Sequence, residues 1–264
     1  MRHPHFLLLG SLLLAPVAHA SGVFLKWDAC HADGGVSVRS FACDANAGSE
    51  LLVCSVVLDA DMASVSGVEA RIVGQSAGAA LPAWWQFKNA GTCRQNAMTA
   101  ETSPSGPVGG CPGAFGADAS GGIGAYTIGW QSPGGIKLVM AAAVPPSATV
   151  ALAAGQEYFL FALRISHAKT VGTGACSGCL EPMCLGVGYL ALTSPLPDAT
   201  REFAMSGFPS DQGHLVSWQN GSPGAVYWFQ VDPPFGHLLD YAMTCDFATR
   251  ARPSSWGAVK SLYR

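Results

Sequence analysis

Gly74-Gln75-Ser76-Ala77-Gly78 has the G-x-S-x-G spacing of a nucleophile elbow and directly follows a strand-like run, Glu69 to Val73. In a serine hydrolase Ser76 would attack an acyl carbon, with His167, His214 or His237 as the nominal base. The context argues for a turn instead. An elbow opens into a helix, whereas Ala79-Ala80-Leu81-Pro82 interrupts almost at once, and an oxyanion loop of the His-Gly-Gly type is missing. With 32 glycines in 264 residues, the motif is also easily met by chance.

Cys176-Ser177-Gly178-Cys179, with Cys184 downstream and His167 upstream, offers the ligand types of a three-Cys, one-His zinc site or a redox dithiol. Structural zinc usually takes two paired knuckles and a redox motif starts a helix, which lowers the thiol pKa. Here there is one knuckle, and Glu181-Pro182 follows it. Disulfide staples are the favoured reading. Asp44-Ala45-Asn46-Ala47-Gly48-Ser49-Glu50 alternates oxygen ligands like part of a calcium loop, but lacks the twelve-residue spacing of an EF-hand. An Asx-rich turn is favoured, with calcium retained as the only cofactor candidate. Trp84 and Trp85, with Phe87, Trp130, Trp218 and Trp228, are the residues able to stack on a sugar or a partner surface. In a strand Trp84 and Trp85 point to opposite sides, which puts at least one of them in the core, and core is the favoured place for all of these aromatics. Asn220-Gly221-Ser222 is a formal glycosylation sequon that matters only in a eukaryotic host.

These residues are carried by a chain with the marks of export. Met1-Arg2, an apolar run from Phe6 to Val17, and Ala18-His19-Ala20 make the three parts of a signal peptide, with cleavage expected after Ala20. The run is too short, and too broken by Gly10 and Pro16, for a permanent span, and no later stretch is long enough to be one. A formal charge of −3 with 12% charged residues supplies no basic stripe for nucleic acid.

Export delivers the nine cysteines to an oxidising compartment, so they are expected to pair, leaving one over. Local pairs are preferred: Cys30 with Cys43, Cys93 with Cys111, and one bridge within Cys176, Cys179 and Cys184. Each would close a short loop and stabilise by about 3 kcal/mol.

Eleven strand-length runs separated by turn chemistry are expected: Val23 to Trp27, Val36 to Cys43, Leu51 to Leu58, Val68 to Val73, Trp84 to Lys88, Ala125 to Trp130, Ile136 to Val144, Glu157 to Ser166, Leu185 to Leu192, Leu215 to Gln219 and Val226 to Val231. Thr102 to Gly124 and Ser194 to Gln212 read as long loops. Ser254 to Arg264 places Trp256, Val259 and Tyr263 on one face of a short helix or ends as a strand or tail. Without helical crossovers the strands cannot form a doubly wound parallel sheet. The expectation is an all-β, two-sheet sandwich of jelly-roll or cohesin-like Greek-key type, as one domain over 21–250 with a distinct C-terminal segment over 251–264.

Trp27-Asp28-Ala29-Cys30, Phe41-Ala42-Cys43-Asp44, Leu81-Pro82-Ala83-Trp84-Trp85-Gln86-Phe87, Lys169-Thr170-Val171-Gly172-Thr173-Gly174 and the closing Trp256-Gly257-Ala258-Val259-Lys260-Ser261-Leu262-Tyr263-Arg264 resemble a group of uncharacterised exported bacterial proteins over most of the mature chain. That resemblance implies export and no particular activity, ligand or catalytic residue. The Gly-led turn before the strand Glu157 to Ser166 is similar to cohesins at the level of fold alone. The functional expectation is a non-catalytic binding or structural protein of the envelope or exterior, in the periplasm, on the cell surface or secreted. Its partner would be a surface protein or a glycan, met by the loops Thr102 to Gly124 and Cys176 to Cys184. The competing reading is a secreted hydrolase using Ser76, and a third makes Arg252 to Arg264 an address for export or attachment machinery.

Overall fold

The computed structural model describes residues 21–103, 110–116, 118–197, 199–204, 212–231 and 238–246. The signal segment, His237 and the C-terminal segment 251–264 lie outside these. The described chain is all-β, with regular helix limited to 3-10 turns. Its strands are β1 (Gly22–Trp27), β2 (Val38–Arg39), β3 (Ser49–Val57), β4 (Met62–Val65), β5 (Gly67–Ser76), β6 (Met98–Glu101), β7 (Ser120–Ile128), β8 (Gly135–Ala143), β9 (Val150–Leu152), β10 (Glu157–Ser166), β11 (Met183–Thr193), β12 (Arg201–Ala204), β13 (Leu215–Trp218), β14 (Ser222–Val231) and β15 (Leu238–Asp246).

Two sheets face each other across the main core. One has the order β1-β3-β10-β6, and the other β2-β13-β11-β5-β8-β7 with β12 beside β11. Nearly all pairings are antiparallel; β2 lies parallel to β13. The near-continuous apolarity of β3 and β10 follows from burial on both faces. Leu52, Cys54 and Val56 alternate into the inter-sheet core, while Val53 meets Phe159, Ala162 and Cys30 on the outer side. The larger sheet is covered too. The β14–β15 hairpin lays Val226, Tyr241 and Met243 on Val73, Cys184 and Leu215. Each large aliphatic or aromatic side chain taken out of water in this way contributes about 1.5–3 kcal/mol.

Ten of the eleven expected strands form, and β4, β6, β9, β12 and β15 join them. The exception is Trp84 to Lys88, where Ala83–Trp85 is a 3-10 turn. Its aromatic run suits a strand by composition, but Trp84, Trp85 and Phe87 are all fully buried from an irregular loop. Burial of the rings, without a ladder, holds that segment.

The disulfide pairs differ from the local ones expected. Cys30 pairs with Cys111, Cys43 with Cys179, Cys93 with Cys176 and Cys184 with Cys245. Every cysteine expected in a bridge is in one, yet none with the expected partner. The fold brings remote segments together, so the bonds cross 61 to 136 residues of sequence. Cys54 is the free thiol, in the middle of β3.

Candidate functional site

At one end of the sandwich the irregular strap between β10 and β11 meets the loops that carry Cys43, Trp84 and Cys93. Two disulfides hold it there, Cys179 to Cys43 and Cys176 to Cys93. Hydrogen bonds sew the rest. Asn46 Oδ1 accepts from the backbone N–H of Thr170 at 2.7 Å and of Val171 at 3.0 Å, while its Nδ2 donates to the Val171 carbonyl at 3.0 Å. The backbone N–H of His167 donates to the Gly48 carbonyl, that of Cys176 to Lys169, and that of Trp84 to Ser177. Indole donors finish the seam, Trp84 Nε1 to Thr170 Oγ1 at 3.1 Å and Trp218 Nε1 to the Cys179 carbonyl at 2.8 Å. Gly178 sits at φ +93°, and a Cβ there would meet Pro82 Cβ at 2.2 Å, so this approach of strap to loop requires glycine.

The strap rests on an aromatic floor. Trp84 stacks on Trp218 with ring centroids 5.1 Å apart, Trp85 meets both edge-on, and Phe41 stacks on His167 at 3.8 Å. Trp27, Trp84, Trp85 and Trp218 are all fully buried. Trp84 and Trp85 are both core and present no platform, because a 3-10 turn frees the pair from the two-sided alternation of a strand. Trp130 lies against the outer hairpin, with Lys137 Nζ 3.5 Å from its ring centroid.

Charged groups at this end are mostly matched. Glu50 is buried between Arg39 and His167, whose Nε2 lies 2.8 Å from Glu50 Oε1 and whose Nδ1 lies 2.8 Å from the Ala47 carbonyl. Both ring nitrogens thus face oxygen atoms of the protein. Arg94 differs. It is 2% exposed, and its guanidinium lies 3.7 Å from the Trp84 ring centroid. It donates through Nη1 to the Trp84 carbonyl at 2.8 Å and through Nη2 to the Ser166 carbonyl. Its Nε has no hydrogen-bond partner among the described residues. Burial lowers its pKa to about 10, so it remains a cation at neutral pH.

Two cavities open beside the strap. One of about 420 Å³ is walled by Cys43, Thr170, Cys176, Ser177, Leu180 and Glu181, with Leu180 54% exposed at its rim. The other, about 310 Å³, is walled by Thr92, Arg94, Gln95, Asn96, Ser166 and Lys169 among others. Lys169 belongs to the strap and anchors through Nζ to the Cys93 carbonyl at 2.7 Å.

The sequence-derived chemistry disperses around this frame. Ser76 ends β5, and the chain continues through bends over residues 77–80, without the helix an elbow needs. Ser76 is 2% exposed, and its hydroxyl donates to the Ala80 carbonyl at 3.5 Å. Cys176, Cys179 and Cys184 go to three different disulfides, so they form neither a metal knuckle nor a dithiol pair. In the Asp44 to Glu50 segment, Asn46 caps the strap and Glu50 holds His167 and Arg39, so these oxygens serve protein groups. Asp33, close to Cys30 and Cys111, accepts from the Cys111 backbone N–H at 2.8 Å, beside a sulfur pair already bonded. The sequence marks Lys169 only as part of a resemblance and Arg94 not at all. A lone arginine carries no local signal, and its burial appears only once the Trp84 and Ser166 loops are brought together.

No protein-family model, curated protein or solved structure matches this chain.

Proposed function

We propose that the chain is an exported, non-catalytic binding protein of the bacterial cell envelope or exterior, and that the strap end is its contact face for a surface glycan or protein. Four disulfides fit an oxidising compartment, and no helix among the described residues is long and apolar enough to cross a membrane. The N-terminal signal pattern points the same way.

The observation that carries the reading is the double clamp on an irregular segment. Two long-range disulfides and a set of side-chain caps hold residues 167–182 while leaving two cavities open at their flanks. A fixed irregular loop loses little conformational freedom on binding, which is how rigid scaffolds present contact loops. The buried Ser76 hydroxyl supplies no comparable support for hydrolysis.

Fluorescently labelled mature protein, presented to a surface-glycan array and to intact envelope fractions, tests the proposal. Saturable binding that is lost in a folded Leu180→Asp variant supports it. Absence of saturable binding to any of these surfaces, or binding indifferent to Leu180→Asp and to removal of Cys43–Cys179, overturns it.

A further inference from the structure

Arg94 is a buried cation with no carboxylate partner among the described residues. Taking a charge out of water costs several kcal/mol unless it is paired, and the buried carboxylate at this end is paired: Glu50 has Arg39, with His167 Nε2 at 2.8 Å. Among the described residues no carboxylate forms an ion pair with Arg94; it has two carbonyls and two aromatic rings. Carbonyl dipoles and ring faces stabilise a guanidinium in part, but they leave its net charge in place. The cavity that Arg94 and its acceptor Ser166 line receives a second cation from Lys169, and no Asp or Glu lines it. That local excess stands out in a chain with 17 acidic and 14 basic residues.

The remaining wall narrows the ligand class. Thr92, Gln95 and Asn96 offer a hydroxyl and two amides, groups that both donate and accept, and no large apolar side chain lines the cavity. Such a wall suits the hydroxyls of a sugar better than an apolar peptide side chain. Its volume of about 310 Å³ has room for one pyranose ring. Lys169 is held at the rim in a left-handed conformation, φ +62°, with its ammonium tied to Cys93, itself bridged to the strap. We infer that this cavity is an oxyanion subsite that takes the carboxylate or sulfate of an acidic sugar, with Arg94 and Lys169 as the cations that recognise it.

This subsite deepens the proposed binding function and rests on it. Titration calorimetry on the mature, oxidised protein with glucuronate, glucosamine 6-sulfate and glucose tests it. Glucuronate or the sulfated sugar binds and glucose does not, and the affinity falls as salt is raised. Whichever of the two acidic sugars binds tighter names the source of the oxyanion. Lys169→Ala, at an exposed position and with strap amide exchange checked against the unaltered protein, weakens the acidic sugar on the order of tenfold, as expected for loss of a charge-assisted contact. Arg94→Lys, which keeps the charge but not the fork, weakens it as well if the variant folds; Lys169→Ala decides the matter if it does not. Equal binding of glucose, no binding of either acidic sugar, tighter binding of a short acidic peptide, or an unchanged affinity in Lys169→Ala overturns the assignment. Failure here, with surface binding still sensitive to Leu180→Asp, removes the oxyanion subsite and leaves the contact face standing; loss of both removes the proposed function.

Discussion

The strap end and the β3–β10 heart of the smaller sheet are held by different means. At β3 and β10, nine registered antiparallel pairs and two buried faces fix the chain, and the one free cysteine sits there. At the strap, regular ladders are absent over residues 167–182, and placement comes from two disulfides, an asparagine cap and indole donors. A sheet specifies position through many repeated weak terms. A loop that must stay irregular needs a few strong ones, and that is where the cysteines are spent.

The largest test of this contrast is removal of one clamp. Cys43→Ala with Cys179→Ala releases a closure spanning 136 residues of sequence, and chain entropy puts the loss on the order of 4–5 kcal/mol. Denaturant unfolding reads it, and a loss below about 1 kcal/mol would mean the clamp does not hold the strap. In the heart, Phe161→Ala empties a fully buried site and costs about 3–5 kcal/mol. Its signature differs, because global stability falls while strap amides remain protected in the folded fraction. Asn46→Ala strips the acceptor from Thr170 and Val171, a loss of about 1–3 kcal/mol confined to the strap. Hydrogen exchange that rises evenly over the whole molecule in this variant would contradict local sewing.

Cys54 gives the smallest expected signal. Burial pushes its thiol pKa far up, and the thiolate is the reactive form. Raising the pH from 7 to 9 therefore leaves it protonated and unalkylated in the folded protein. Iodoacetamide should modify it only after unfolding, and stoichiometric labelling of native protein at pH 8 would show that β3 is not closed.

The difference between the regions also decides what could be read from the sequence. β10 was legible because Tyr158 to Ile165 is apolar but for Arg164, and β3 because Leu51 to Val57 is apolar but for Ser55, since two-sided burial leaves its mark on composition. Trp84 and Trp85 misled because aromatic residues favour strands, whereas their placement depends on Trp218, more than a hundred residues away. The disulfides were legible as a set and illegible as pairs. Short loops are the natural guess from spacing, but Cys43 and Cys179 become neighbours only when β3, β10 and β11 have been folded into two sheets. The roles of Arg94 and Lys169 were silent for the same reason. Their meaning is a shared cavity whose described wall holds no Asp or Glu, and that is not a property of local sequence.

Two disulfides and the Asn46 cap hold the strap rigid while its flanks stay open. Hydrogen exchange of the oxidised protein, resolved to residues 167–182, measures this. Slow exchange is expected at the amides of His167, Thr170, Val171 and Cys176, which donate to Gly48, Asn46, Asn46 and Lys169, and fast exchange once both strap disulfides are removed. Exchange of these four amides at unprotected rates in the oxidised protein would contradict it.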